Sequence, residues 1–175
     1  GKKVKLVTQK NMNANAARNH GLRVSNGHYV VFLDSDDWIS EDLIENHIYS
    51  IEKWPDAAIY CAPSRKAYPD GTLTIVEPSN WPKSPDLPIE LFLLESPPFP
   101  ACELYRKSVL EVFSGFDEDP NSSHEGETRI RIVLSGYPVV RTEGGYAVYR
   151  PVENSATKNP IPLHRYKLKS LRRLN

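Results

Sequence analysis

The stretch Gly27-His28-Tyr29-Val30-Val31-Phe32-Leu33-Asp34-Ser35-Asp36-Asp37-Trp38 sets a nearly continuous apolar run directly against a cluster of carboxylates. An apolar run of this kind reads as a strand covered on both faces, and its abrupt acidic end puts the carboxylates at the strand's carboxyl edge. In an extended chain residues two apart point the same way, so Asp34 and Asp36 are expected to face a common site at the usual ligand edge of a parallel sheet. Carboxylates gathered there repel one another unless a cation joins them. Mg²⁺ or Mn²⁺ suits such a place, because these ions are commonly held by one or two carboxylates while substrate phosphates and waters complete the shell. A solvated acidic turn that caps the following helix is the other reading of the same four residues.

Upstream, Lys3 to Thr8 alternates with a period of two, and Asn13 to Val24 is rich in Ala, Arg and Leu before Ser25-Asn26-Gly27. Strand, helix and strand in succession make a βαβ unit, which predicts a parallel sheet and an α/β fold. Downstream, Ser40 is the predicted N-cap of a helix with a stripe of Leu43, Ile44, His47, Ile48 and Ile51, ending near Trp54-Pro55. A strand is expected over 57–62, a turn at Pro69-Asp70-Gly71 and a returning strand over 72–76. Seven prolines between residues 78 and 100 indicate a long loop, enclosing one short helix around Leu87 to Leu94. Beyond it the pattern predicts a strand near Cys102 to Tyr105, a helix from Ser108, a turn at Gly115 and a helix from Glu125 to Leu134 closed by Gly136. Two short strands over 138–142 and 146–150 come last.

At 175 residues, 39% hydrophobic and 25% charged, the chain can bury one real core, and its composition excludes collagen-like and low-complexity proteins. No apolar run approaches the roughly 20 residues of a membrane span, and no secretory signal is visible. Cys61 and Cys102 cannot build a disulfide framework or a zinc site and read as buried thiols of a reducing compartment, which points to the cytoplasm. The net charge of zero hides a segregation: residues 1–33 and 154–175 each carry six Lys/Arg, and all 22 acids lie between them. The basic ends are either solvated or meet an anionic partner, such as nucleotide phosphates at one end and an anionic membrane surface at the other. With neither a recognised motif nor interleaved aromatics, nucleic acid is not an expected partner.

A longer run, Asn11-Met12-Asn13-Ala14-Asn15-Ala16-Ala17-Arg18-Asn19-His20-Gly21 followed by Gly27 to Trp38, resembles the family 2 glycosyltransferases of the GT-A fold. The resemblance continues through Leu104-Tyr105-Arg106-Lys107, Gly115-Phe116-Asp117-Glu118, Arg131 to Tyr137 and Tyr149 to Ser155. It implies a mixed Rossmann-like sheet flanked by helices over residues 1–157, with 158–175 as a basic tail. It also implies transfer of a sugar from a nucleotide-sugar donor to a hydroxyl of a saccharide or lipid-linked acceptor, with inversion. A lipid-linked acceptor would bring the basic tail to the inner face of a membrane.

On this resemblance Asp34 lies near the donor's ribose and sugar, and Asp36, with Asp34 beside it, holds the metal on the diphosphate. Arg18 lies near the nucleobase, and Asp37 either holds the donor sugar or caps the next helix. The family takes the acceptor proton on a carboxylate six residues before an arginine; counting back from Arg131 gives Glu125, with Glu127 as the alternative. Three departures stand out. Asn13 replaces a glycine, tolerable because Asn accepts a left-handed backbone. Val152 replaces a His that approaches the metal or phosphate in some relatives. The family's first two strands, which form much of the nucleoside pocket, are not represented. These residues alone are therefore expected to bind donor weakly and not to turn over, and to self-associate through an exposed sheet edge. A non-catalytic binding module built on the same scaffold is the competing reading. Trp38 and Trp81 are candidates for stacking on sugar rings or for ordinary packing.

Overall fold

The computed structural model describes residues 4–76, 99–119 and 125–151. Trp81, the helix expected around Leu87 to Leu94, Val152 and the tail 158–175 lie outside them. The described chain runs α1 (Ala14–Val24), β1 (Tyr29–Val31), β2 (Trp38–Ile39), α2 (Leu43–Lys53), β3 (Ile59–Cys61), β4 (Ser64–Ala67) and β5 (Leu73–Ile75). A 3-10 turn (Pro100–Cys102) then leads into β6 (Glu103–Arg106), α3 (Lys107–Val112), α4 (Gly126–Leu134), β7 (Val139–Arg141) and β8 (Ala147–Tyr149).

Two four-stranded sheets form, in the orders β1-β6-β3-β7 and β2-β8-β4-β5. In the first, β6 runs antiparallel to both β1 and β3, while β3 and β7 are parallel. Period-two alternation covers both of its faces. Val30, Ile59, Cys61, Tyr105 and Val139 pack with Leu22 of α1, Val109 and Leu110 of α3 and Ile132 of α4. Tyr29, Val31, Tyr60, Leu104 and Val140 pack with Ile51 of α2 on the other side. The result is an α/β layered fold with a mixed sheet, as expected, and both cysteines are buried free thiols.

Several local expectations are corrected. The region from Val4 to Lys10 is exposed and forms no strand, so the βαβ unit does not close; among the described residues β1 pairs only with β6, antiparallel. As an edge strand β1 is half-buried rather than covered on both faces. Ser40 does not cap α2: Asp42 stands at that position, and the Ser40 hydroxyl instead accepts the Tyr146 N–H at 2.9 Å, tying β2 to β8. The buried face of α2 is Leu43, His47 and Ser50, whereas Ile44 and Ile48 are exposed.

His47 is fully buried, with Nδ1 2.9 Å from Thr142 Oγ1, just past β7. Burial disfavours its cation and pushes its pKa down to about 4. The unfolded chain therefore binds a proton that the folded chain refuses as pH falls from about 6.5 to about 4, and stability drops through that window by about 3 kcal/mol. Urea unfolding across this range will show the decline, and His47→Gln will flatten it.

Candidate functional site

Three asparagines on or beside α1 fix where the site lies. Asn13 caps the helix, its side-chain oxygen accepting the Ala16 N–H at 2.9 Å. Its backbone is extended (φ −169°), so the left-handed turn expected there is not formed; an N-cap needs the extended conformation. Its amide donates to the Glu118 carbonyl at 2.8 Å, and that of Asn15 to the Asp117 carbonyl at 2.6 Å. Buried Asn19, one turn further, donates to the Phe116 carbonyl and to Glu118 Oε1 and accepts the Phe116 N–H, all within 2.9 Å. Gly115 has φ +75°, and a Cβ there would lie 2.3 Å from Asn19 Oδ1, so both backbone and space demand glycine. The Thr128 hydroxyl of α4 donates to the Gly115 carbonyl at 3.0 Å. Residues 115–118 are thus bonded to α1 on one side and to α4 on the other.

That arrangement turns Arg18 of α1 toward Glu125 at the start of α4. Arg18 Nη2 lies 3.0 and 3.1 Å from the two Asp34 oxygens. Its Nη1 lies 3.5 Å from Glu125 Oε2. The other Glu125 oxygen is 3.5 Å from Arg129 Nη2, and Arg129 Nε is 2.9 Å from Glu103 Oε1. The remaining Glu103 oxygen accepts the Tyr105 hydroxyl. Alternating charges therefore run from a half-exposed Asp34 (47%) through Arg18 and Glu125 (10% and 18%) to a fully buried Arg129 and Glu103. Complete burial pushes the Glu103 carboxyl up to about 7 against the pull of Arg129. Burial works against the Arg129 cation as well, but Glu103, Tyr105 and Glu125 outweigh it and hold its pKa above the usual arginine range.

The acidic segment is a turn rather than an extended strand end, since the Asp37 N–H donates to the Asp34 carbonyl at 3.1 Å. Simple alternation therefore does not aim Asp34 and Asp36 at one place. Asp34 is engaged by Arg18. Asp37 does not cap α2, which begins at Leu43; its Oδ1 accepts the Arg150 N–H at 3.1 Å. Burial pushes its carboxyl up to about 6, with the Arg150 bond opposing and the Asp36 and Asp34 charges adding to the rise. Asp36, half-buried, has no hydrogen bond or ion pair among the described residues. Among those residues no group of three or more His, Cys, Asp or Glu gathers as a metal site. One open carboxylate beside two other acids fits an ion held mainly by a ligand's phosphates and water, and does not fit a structural metal.

A groove of about 320 Å³, lined by Ala14, Ala17, Val31, Phe32, Arg18 and Asp34 among others, opens beside this turn. Glu127 is buried and lines a different cleft of about 500 Å³ with Asn19, Asp117, Glu118 and Arg131. Of the sequence candidates, Arg18, Asp34 and Glu125 meet, Asp36 and Asp37 sit in the adjoining turn, and Glu127 stands apart. Sequence reasoning missed Asn15, Asn19, Glu103 and Arg129. The i, i+4 pairing of Asn15 with Asn19 was a usable signal, whereas nothing in the spacing joins Glu103 to Arg129.

A mixed, helix-flanked sheet with an acidic turn and an arginine clamp beside its edge strand defines a GT-A-type α/β domain. The family model for glycosyl transferase family 2 matches residues 1–113. The chain belongs to that family of glycosyltransferases. It is 46% identical over 43 residues to glycosyltransferase GlyA of Streptococcus pneumoniae, covering 25% of this chain and 6% of that protein. An uncharacterized glycosyltransferase of Haemophilus influenzae is 48% identical over 48 residues, or 27% of this chain and 19% of the relative. Among solved structures, S. aureus TarS 1–349 in complex with UDP-GlcNAc superposes with a TM-score of 0.69 at 17% identity, over 90% of this chain and 44% of that one. Mannosyltransferase PcManGT from Pyrobaculum calidifontis, in complex with GDP-Man and Mn²⁺, gives 0.61 at 14% identity, over 94% and 44%. The chain thus spans less than half the length of each of these relatives. No described helix is long and apolar enough to cross a membrane.

Asn19→Ala removes three hydrogen bonds, two of them buried, and leaves the Phe116 peptide without these partners. It is expected to cost about 2–3 kcal/mol, read as a lowered urea midpoint with an unchanged slope.

Proposed function

We propose that this chain carries the part of an inverting, metal-dependent glycosyltransferase that faces the diphosphate and activates the acceptor, transferring a sugar from a nucleotide-sugar donor to an acceptor hydroxyl. The observation carrying the reading is Arg18, which binds both oxygens of Asp34 and reaches Glu125, joining a donor-side carboxylate to a proton-accepting one through a single guanidinium. Family membership, and TarS and PcManGT structures that hold UDP-GlcNAc and GDP-Man with Mn²⁺, support it.

In this mechanism Glu125 takes the proton of the acceptor hydroxyl as its oxygen attacks the anomeric carbon from the face opposite the leaving diphosphate. General-base assistance of this kind contributes about 10²–10⁴-fold. A charged Glu125 is kept in place by the arginines on its two oxygens. Arg18 and Asp34 form a ready-made pair at the groove, toward the donor's ribose and sugar. Asp36 is the open carboxylate for Mg²⁺ or Mn²⁺, which when bound supplies positive charge to the departing diphosphate. Asp37, neutral below about pH 6 and bonded to Arg150, steadies the turn rather than holding the sugar.

Calorimetric titration of the 175-residue chain with UDP and with GDP, with Mn²⁺ and with a chelator, tests this reading. Binding is expected to be weak, on the order of 10⁻⁴ M or above, to need Mn²⁺ and to vanish in Asp36→Asn. Equal binding without metal would remove Asp36 from its role, and micromolar binding would show that the nucleoside pocket is more complete than proposed. In a transfer assay of this chain joined to the family's first two strands, Glu125→Gln should keep nucleotide binding and lose at least 10²-fold in rate, by the usual worth of a general base.

The proposal extends to self-association. The outer edge of β1 has no partner among the described residues, and Val4 and Leu6, which precede α1, are 86% and 88% exposed. A mass that rises with concentration in light scattering is the expected result.

A further inference from the structure

Glu103 and Arg129 fall outside the motifs described above, and both are fully buried. Arg129 stands one helical turn after Glu125 on α4, while Glu103 opens β6 in the middle of the main sheet. Burying a guanidinium and a carboxylate costs several kcal/mol in desolvation, which an apolar pair of similar volume would avoid. Their geometry shows what else the pair does. Glu103 Oε1 pairs with the Arg129 cation, 2.9 Å from its Nε, and Nη2 lies 3.5 Å from Glu125 Oε1. The Tyr105 hydroxyl fixes the second Glu103 oxygen, and the Cys61 thiol lies 3.8 Å from the first. The anchor of this cation is therefore the sheet itself. Arg18, held by Asn15 and Asp34, contacts the opposite oxygen of Glu125.

We propose that Arg129, anchored in the core by Glu103, is a positioning residue that holds one oxygen of Glu125 and so sets the orientation of that carboxylate beside Arg18. The proposal rests on Glu125 being the proton acceptor only for its meaning, because the positioning itself can be measured without turnover. Among the described residues the charged groups facing Glu125 are Arg18 from α1 and Arg129 on its own helix, with Asp34 and Glu103 behind them. Removing the Arg129 contact should leave a carboxylate held on one side only.

The test is ¹³C NMR relaxation of the Glu125 side chain in the whole 175-residue chain, with the assignment made through Glu125→Gln. In the triple variant Glu103→Met/Tyr105→Phe/Arg129→Met, which replaces the buried polar cluster with apolar groups of similar volume, the Glu125 side-chain order parameter should fall toward that of a freely rotating glutamate. A purely structural role for Arg129 would be rescued by this apolar core and leave the order parameter unmoved. Arg129→Lys retains the cation for Glu103 but loses the second arm of the fork, and should lower the order parameter by a smaller step while the fold stays intact. An order parameter equal to the wild-type value in either folded variant overturns the proposal. If it falls while Glu125→Gln leaves sugar transfer intact, the positioning stands and the assignment of Glu125 as proton acceptor falls.

Discussion

The site depends on hydrogen bonds between the amides of one helix and the backbone of a loop about a hundred residues away in sequence. Asn13, Asn15 and Asn19 reach the peptides of Phe116, Asp117 and Glu118, and Thr128 bonds the same loop from α4. Two helices are thereby tied to one loop and held at a fixed spacing. Buried amide bonds are well suited to this, because each is directional and costly to leave unmade. Hydrophobic packing alone would allow α1 to slide along the sheet, and Arg18 would then miss Glu125.

Given that spacing, the alternation of charge follows from electrostatics. Each arginine sits between two carboxylates, and each interior member has at least one opposite charge within 3.5 Å. The outer end is wet and the inner end dry, so the same kind of pair is weak at Asp34 and strongly coupled at Glu103. The acidic turn adds negative potential that Asp37 partly relieves by holding its proton near pH 6.

Much of this was legible in the sequence. The α/β class, the strands around Tyr60, Leu104, Val140 and Val148, the helices ending at Lys53 and Leu134, and the turns at Gly71, Gly115 and Gly136 all followed from periodicity and turn chemistry. The failures share a cause. Lys3 to Thr8 has the pattern of a strand, but a strand exists only where another supplies hydrogen bonds, and the described residues contain no partner for it. Asp34 and Asp36 were aimed by strand alternation, which ends with β1 at Val31, before the turn that carries them. Ser40 and Asp37 were assigned to a helix end when their acceptor atoms are used by Tyr146 and Arg150, residues distant in sequence. The family resemblance carried Arg18, Asp34 and Glu125 as separate candidates. Only the three-dimensional arrangement joined them and separated Glu127 from them.

The position of β1 at the margin of its sheet has a dynamic consequence. The peptides of β3 are paired on both sides and its side chains are wholly enclosed, whereas those of β1 are paired on one side and half-enclosed. Amide exchange with solvent should therefore quicken outward from Ile59 to Val31, and brief local opening should begin at the margin that leads into the acidic turn. The carboxylates that would greet a donor ride on the loosest strand of the sheet, while the arginine that steadies Glu125 is rooted beside the tightest.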